Sequence, residues 1–354
     1  MLKSIFQCLL RTSLIGIFLN SFSHAEITDK DLLIKAKALF KPLPETAWID
    51  QKAPSKLQIE LGRELFFETR VSSDGRLGCG TCHNPAFYGA DFLSFSQGVS
   101  GKKLPRNAPT VFNTPLLIAQ HFGGNRVSVE DQAKQALISA LAYGNKTYQE
   151  AEDRMTKLGY LPKFEKAFPG QGKPLNVDNW AVAIGAFERT LLTPAPFDRF
   201  LKGELKAISL AQKKGLDTFI NSGCAGCHNG VTVGGQSFQK FGITADYWTE
   251  TGSEELEIFK GRDKGRFMDT KKDEDQFIFK VPQLRNVAVT PPYFHDGSVQ
   301  KLEDAVQIMG KLQLGKTLSP DEVESIVAFL GSLTGEIPKQ FSNIPKLPVM
   351  GYKN

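Results

Sequence analysis

Two short stretches carry the residues most able to do chemistry: GCGTCHNP at 78–85 and GCAGCHNG at 223–230. Each contains C-x-x-C-H, the attachment sequence of c-type haem. Two thiols at that spacing on a tight helical turn can meet the two vinyl groups on one edge of a porphyrin. The next residue can then turn its imidazole under the ring towards iron. Cys79, Cys82, Cys224 and Cys227 are therefore read as attachment points, and His83 and His228 as proximal iron ligands. A zinc site is one competing reading, but it needs further ligands that the other cysteines could supply only by merging the two motifs. A thioredoxin-like redox pair is another, and the following histidine and the missing βαβ pattern argue against it.

The supply of second axial ligands is small. The chain has five histidines and five methionines. His24 and Met1 fall in the N-terminal segment discussed next, which leaves His121, His295, Met155, Met268, Met309 and Met350. An axial methionine raises a haem's potential and suits a centre that stores and passes an electron.

Residues 1–25 read as a secretory signal: Lys3 and Arg11, a short apolar run SLIGIFL, then SHA ending at Ala25. A retained anchor is the alternative, but the run is shorter than the roughly 20 residues a spanning helix needs. Cleavage after Ala25 implies export, to the periplasm in a Gram-negative host. Cys8 leaves with the signal, so the two motifs use every remaining cysteine. Without Lys3 and Arg11 the charge is 41 basic against 38 acidic residues, too even to argue for nucleic acid or an anionic membrane. No later segment is apolar for long enough to insert in a membrane.

The elements that must position these sites are mostly helices joined by long irregular loops. Apolar spacing and caps predict helices over 29–40, 54–68, 129–143, 176–192, 209–221 and 319–335. The pieces repeat. LGRELFF before Cys79 and KKGLDTFI before Cys224 share a Gly-x-x-x-Phe pattern, each followed by the cysteine motif, a Gly-rich region and a long amphipathic helix. The expected organisation is a signal at 1–25, an N-terminal unit at 26–200, a C-terminal unit at 201–338 and a tail at 339–354. The seam falls near TPAPFDRFLKGE (193–204), and the tail is expected to lie over a surface.

Longer stretches then carry a resemblance: LGRELFFETRVSSDGRLGCGTCHNP, LPRNAPTVFN, NVDNWAVAIGAFERTLLTPAPFDRFLKG, QLRNVAVTPPYFHDGSV and KLEDAVQIMGKLQLG. Across nearly the whole mature chain the sequence resembles the bacterial dihaem cytochrome c peroxidases and the wider family that includes MauG. The resemblance implies a mainly α fold of two fused cytochrome c-like domains, each with one covalent haem, and a calcium ion between them. It implies that Met309 is the axial methionine opposite His228, and that Asn107 with the main chain of Thr290 and Pro292 holds the calcium. It further implies hydrogen peroxide as substrate at the first haem and a small cytochrome c or cupredoxin as electron donor. Homodimers are common in that family.

The first centre departs from the peroxidase pattern. Where peroxidases carry a histidine in the loop after the first motif, this chain has Gln97, as MauG-like members also lack that histidine. Gln132 matches a distal glutamine, but the glutamate expected ten residues later falls on Ala142. His121 is a candidate substitute acid or base, and Phe122 takes the place of a tryptophan between the haems. His295 matches a family histidine near the second haem and is read as structural or electron-transfer support. The leading reading is a periplasmic peroxidase. A MauG-like oxidase acting on a partner protein, and a dihaem electron carrier or ligand sensor, are the alternatives.

Overall fold

The computed structural model describes residues 27–48, 53–253, 255 and 257–348. The expected signal and its cleavage point lie outside these residues. The longer helices are α1 (Asp29–Leu39), α2 (Lys56–Phe67), α3 (Val129–Ala136), α4 (Tyr148–Lys157), α5 (Val177–Glu188), α6 (Leu210–Ser222), α7 (Leu302–Leu314) and α8 (Pro320–Gly331). Two short antiparallel strands, β1 (Phe238–Lys240) and β2 (Ile278–Lys280), pair with Phe238 opposite Lys280. Capping explains several starts: Ser55, Ser209 and Ser319 each accept a hydrogen bond from the backbone three residues on, with a Gln or Glu side chain returning the bond.

The repeat in the sequence is a repeat of one helix crossing. Gly62 on α2 sits against the backbone carbonyl of Ala183 and the Cβ of Phe187 on α5; Gly215 on α6 sits identically against Ser325 and Phe329 on α8. A methyl group at either glycine would drive into the facing carbonyl, so the backbones can approach only because no side chain intervenes. One turn further on, Phe66 packs edge-on against Phe187, and Phe219 packs on Phe329. Gly62→Ala and Gly215→Ala are each expected to cost about 1–3 kcal/mol through overpacking. A lowered thermal midpoint of the haem-loaded protein would register this.

A second repeated device follows each crossing. Asn113 and Asn286 both adopt left-handed backbone (φ 61 and 64), which an asparagine tolerates better than most residues. Each donates its backbone N–H to the carbonyl of a residue just after α5 or α8, Leu191 and Leu333. Their side chains converge on the buried Thr193 hydroxyl, both at 2.9 Å, stitching the two halves together.

The halves also exchange their ends. Leu32, Ala36 and Phe40 of the α1 segment are buried with Phe197, Leu216, Phe219 and Phe329, in the core around the second motif. Lys35 and Lys213 tie α1 to α6 through Asp217 and Asp29. Conversely, Phe341 from the tail is fully buried in the core of the first half, ringed by Phe66, Phe112 and Phe187. The expected boundaries put α1 in the first unit and laid the tail on a surface. An apolar stripe shows that a segment is buried, and carries no address for the core that buries it.

One buried ion pair holds this exchange. Arg285 (1 % exposed) makes two 2.8 Å bonds to Asp198 (2 % exposed) and a 2.7 Å bond to the Val231 carbonyl. Asp198 also accepts from the backbone N–H groups of Leu43 and Ala195.

The helix expected over 129–143 ends at Ala136. Beyond it the backbone carbonyls are taken by other segments: Leu141 accepts from Val99, Tyr143 from Ser73, and Leu137 from the Asn145 side chain. Gly144 then turns the chain at φ 70.

Candidate haem-binding centres

The second motif opens into a cavity of about 280 Å³. Cys224, Cys227, His228 and Met309 all line it, and Phe219, Leu302, Ala305, Val306, Leu318 and Ile326 give it an apolar wall. Met309 is on α7 and His228 just beyond the turn that follows α6. Two thiols, an imidazole and a thioether thus face one apolar space, a donor set that fits a covalently attached haem with histidine and methionine axial ligands. Burial pushes His228 down to about 4, so the ring is neutral and able to ligate. Its Nδ1 is buried without an acceptor in bonding geometry, although the carbonyls of Val233 and Pro282 act on the ring.

At the first motif, Nδ1 of His83 donates to the Gly89 carbonyl at 3.0 Å, which fixes the ring and leaves Nε2 free for iron. Burial holds this imidazole below its usual value. Cys79 Sγ lies 3.4 Å from the Tyr143 hydroxyl, and Cys82 Sγ lies 4.0 Å from the Gln97 carbonyl. Gln97 and Ala142 belong to two loops that pack on one another: Val99 donates to Leu141, and Gly98 fits against the Leu141 carbonyl so closely that no side chain would fit. The structure therefore brings Gln97, Ala142 and Tyr143 together beside Cys79 and Cys82. Gln132 is half-buried on α3, whose Ala133 and Ala136 pack into the first core.

The thiols match attachment better than the competing chemistries. Burial pushes Cys79 up to about 12, and Cys82 and Cys224 to about 11, the reverse of the low values of a redox-active pair. Among the described residues no group of three or more His, Cys, Asp or Glu side chains could hold a metal ion.

His121 lines the second cavity, whose lining includes neither His83 nor Gln132. The residue is exposed overall, yet the protein packed near its ring pushes it down to about 4. A 2.9 Å bond to Asn125, itself bonded to Asp269 at 2.8 Å, orients the ring. Phe122 and His295 pack with ring centroids 6.3 Å apart, and His295 is further enclosed by Phe241, Tyr247, Trp248 and Phe279. The peptide Asn107–Thr110 runs between the centres: Pro109 acts on His83 through its backbone, while Asn107, Ala108, Pro109 and Thr110 line the second cavity.

Asn107, Thr290 and Pro292 all contribute to that lining. The Asn107 backbone donates to the His295 carbonyl at 2.8 Å and its Nδ2 to the Leu93 carbonyl at 2.7 Å, while its amide oxygen has no hydrogen-bond partner among the described residues. Sequence reasoning missed Tyr143, the bidentate Arg106–Asp263 pair beside His295, and Lys280. The available signal for Lys280 was a single charge inside the apolar run FIFKVP.

Known proteins agree with this arrangement. The chain is 44% identical over 328 residues to the cytochrome c551 peroxidase of Pseudomonas aeruginosa, covering 92% of each chain. It is 37% identical to the cytochrome c551 peroxidase of Nitrosomonas europaea, covering 83% of this chain and 84% of that one. The crystal structure of a MauG-like protein associated with microbial copper homeostasis superposes with a TM-score of 0.72 at 26% identity, over 84% of this chain and 97% of the other. Residues 56–206 match the family described as di-haem cytochrome c peroxidase. With two C-x-x-C-H centres on one repeated helical scaffold and relatives matched along almost its full length, the chain belongs to the di-haem cytochrome c peroxidase family.

Proposed function

We propose that the protein reduces hydrogen peroxide to water at the centre of Cys79, Cys82 and His83. Electrons reach it from a small cytochrome c or cupredoxin through the centre of Cys224, Cys227, His228 and Met309. The observation that carries this reading is the asymmetry between the two sites. At the second, His228 and Met309 line one apolar cavity and would supply an axial pair that favours storing an electron. The first has Gln97 and Ala142 in the loops beside its cysteines, where a closed electron-transfer site would need a further ligand.

Haem, when bound, supplies the one-electron redox chemistry at both centres. The chain supplies position. His83 is held by Gly89, Cys79 and Cys82 fix the ring edge, and the Asn107–Thr110 peptide joins the first proximal histidine to the second cavity. The two cytochrome c-like units exchange α1 and the Phe341 segment. The amide oxygen of Asn107 and the carbonyls of Thr290 and Pro292 would hold a calcium ion at their junction, oxygen donors that suit a hard cation. The mature protein works in the periplasm; among the described residues no helix is long and apolar enough to cross a membrane.

Gln97 favours a second reading, a MauG-like oxidase acting on a partner protein, because that position offers no imidazole to close the first iron; Met309 opposes it. The deciding experiment mixes half-reduced protein with stoichiometric peroxide in a stopped-flow spectrometer, with calcium or with a chelator. Oxidation of the methionine-ligated haem far faster than free haem achieves, and slowed by chelation, is the expected result. Turnover no better than free haem would sink the peroxidase reading.

A further inference from the structure

Among the described residues, the cavity around Cys224, Cys227, His228 and Met309 is lined by two cations and no acid. Its lining includes Lys280 and Arg285, but no aspartate or glutamate. Arg285 is already neutralised by Asp198. Lys280 is not: its side chain forms no ion pair or hydrogen bond among the described residues, although the residue is only 7 % exposed. A lysine this buried and unpaired is costly, and proteins rarely keep one without an anionic partner.

The backbone around Lys280 is firmly placed. Its N–H donates to the Phe122 carbonyl at 2.7 Å, and it stands opposite Phe238 in the β1–β2 ladder. Among the described residues, no acid of the neighbouring segments acts on it. From the 263–266 turn, Asp263 is engaged by Arg106, Arg266 by Asp275, and Lys264 lies over the Phe267 ring; β1 offers only exposed Lys240; the 120–126 loop offers His121 and Arg126. Burial alone acts on the ammonium, lowering it to about 8.

We propose that Lys280 is the counter-ion of a haem carboxylate at the second centre, a positioning residue that fixes the macrocycle's polar edge and raises its potential. This rests on haem occupying the cavity of His228 and Met309, and is independent of whether peroxide is the substrate. The physical reasoning is direct. A carboxylate left alone near the iron favours the ferric state, and a desolvated ammonium beside it cancels that field far more effectively than it would in water.

The test is potentiometric titration of the haem-loaded full chain, which involves no peroxide. Lys280→Met is expected to move the methionine-ligated haem at least tenfold towards the ferric state at fixed ambient potential, a fall of about 59 mV or more for one electron. Lys280→Arg keeps the charge and should restore most of the potential. The bared carboxylate, buried without a cation, should also begin to titrate, giving the Lys280→Met protein a pH-dependent potential between pH 5 and 8 where the parent is flat. If Lys280→Met holds too little haem to titrate, Lys280→Gln is measured in its place. An unchanged potential and pH profile in the neutral variant, with the methionine-ligated spectrum intact, would overturn the assignment. A change in potential that Lys280→Arg does not reverse would overturn it as well.

Discussion

Ala142→Glu is expected to react with hydrogen peroxide roughly 10²- to 10⁴-fold faster than the parent chain, the range a positioned acid–base group contributes. Breaking the peroxide O–O bond requires a proton at the departing oxygen. A carboxyl group can carry one there; the methyl of Ala142 cannot. The position suits the purpose, since the loop that holds Ala142 also places the Tyr143 hydroxyl 3.4 Å from Cys79 and packs on the loop of Gln97. Single-turnover stopped-flow measurements on the two proteins decide the matter. Equal rates would mean that the proton already travels by another group and that Ala142 is no handicap.

The second large effect is structural. Asp198→Ala is expected to destabilise the protein by about 3–5 kcal/mol, because it leaves Arg285 charged and buried with no counter-ion. The loss is greater than that of an ordinary ion pair for a further reason: the N–H groups of Leu43 and Ala195 lose their acceptors at the same time. Asp198→Asn keeps the shape and part of the hydrogen bonding, so it should fall between the parent and alanine. Thermal unfolding of the three proteins orders them. If alanine matched the parent, the knot of Asp198 and Arg285 would not be holding the halves together.

Much of the site was legible because covalent attachment leaves a compact signature. The two C-x-x-C-H motifs need their residues adjacent in sequence, and Met309, which the resemblance assigns to the second haem, lines the same cavity as the second motif. The Gly-x-x-x-Phe pattern was visible before its cause, which is the close crossing of α2 with α5 and of α6 with α8. Features built from distant segments were not legible. His121 was a candidate for the first centre, but the fold turns it into the second cavity, because the 120–126 loop is anchored to β2 through Phe122 and Lys280. The end of α3 at Ala136 was hidden in the same way. Alanine and leucine favour helix through 143, and only the arrival of Val99 and Ser73 as hydrogen-bond donors makes the turns preferable.

The exchange of chain ends bears on how the protein is made. The first half cannot complete its core until Phe341 arrives, and Phe341 follows both cysteine motifs in the chain. Until then that core lacks the ring that Phe66, Phe112 and Phe187 close upon. Cys79 and Cys82, half-buried in the finished fold, therefore sit beside a core that stays open until the tail docks. Late closure gives cofactor insertion a window that two separately folding halves would shut early.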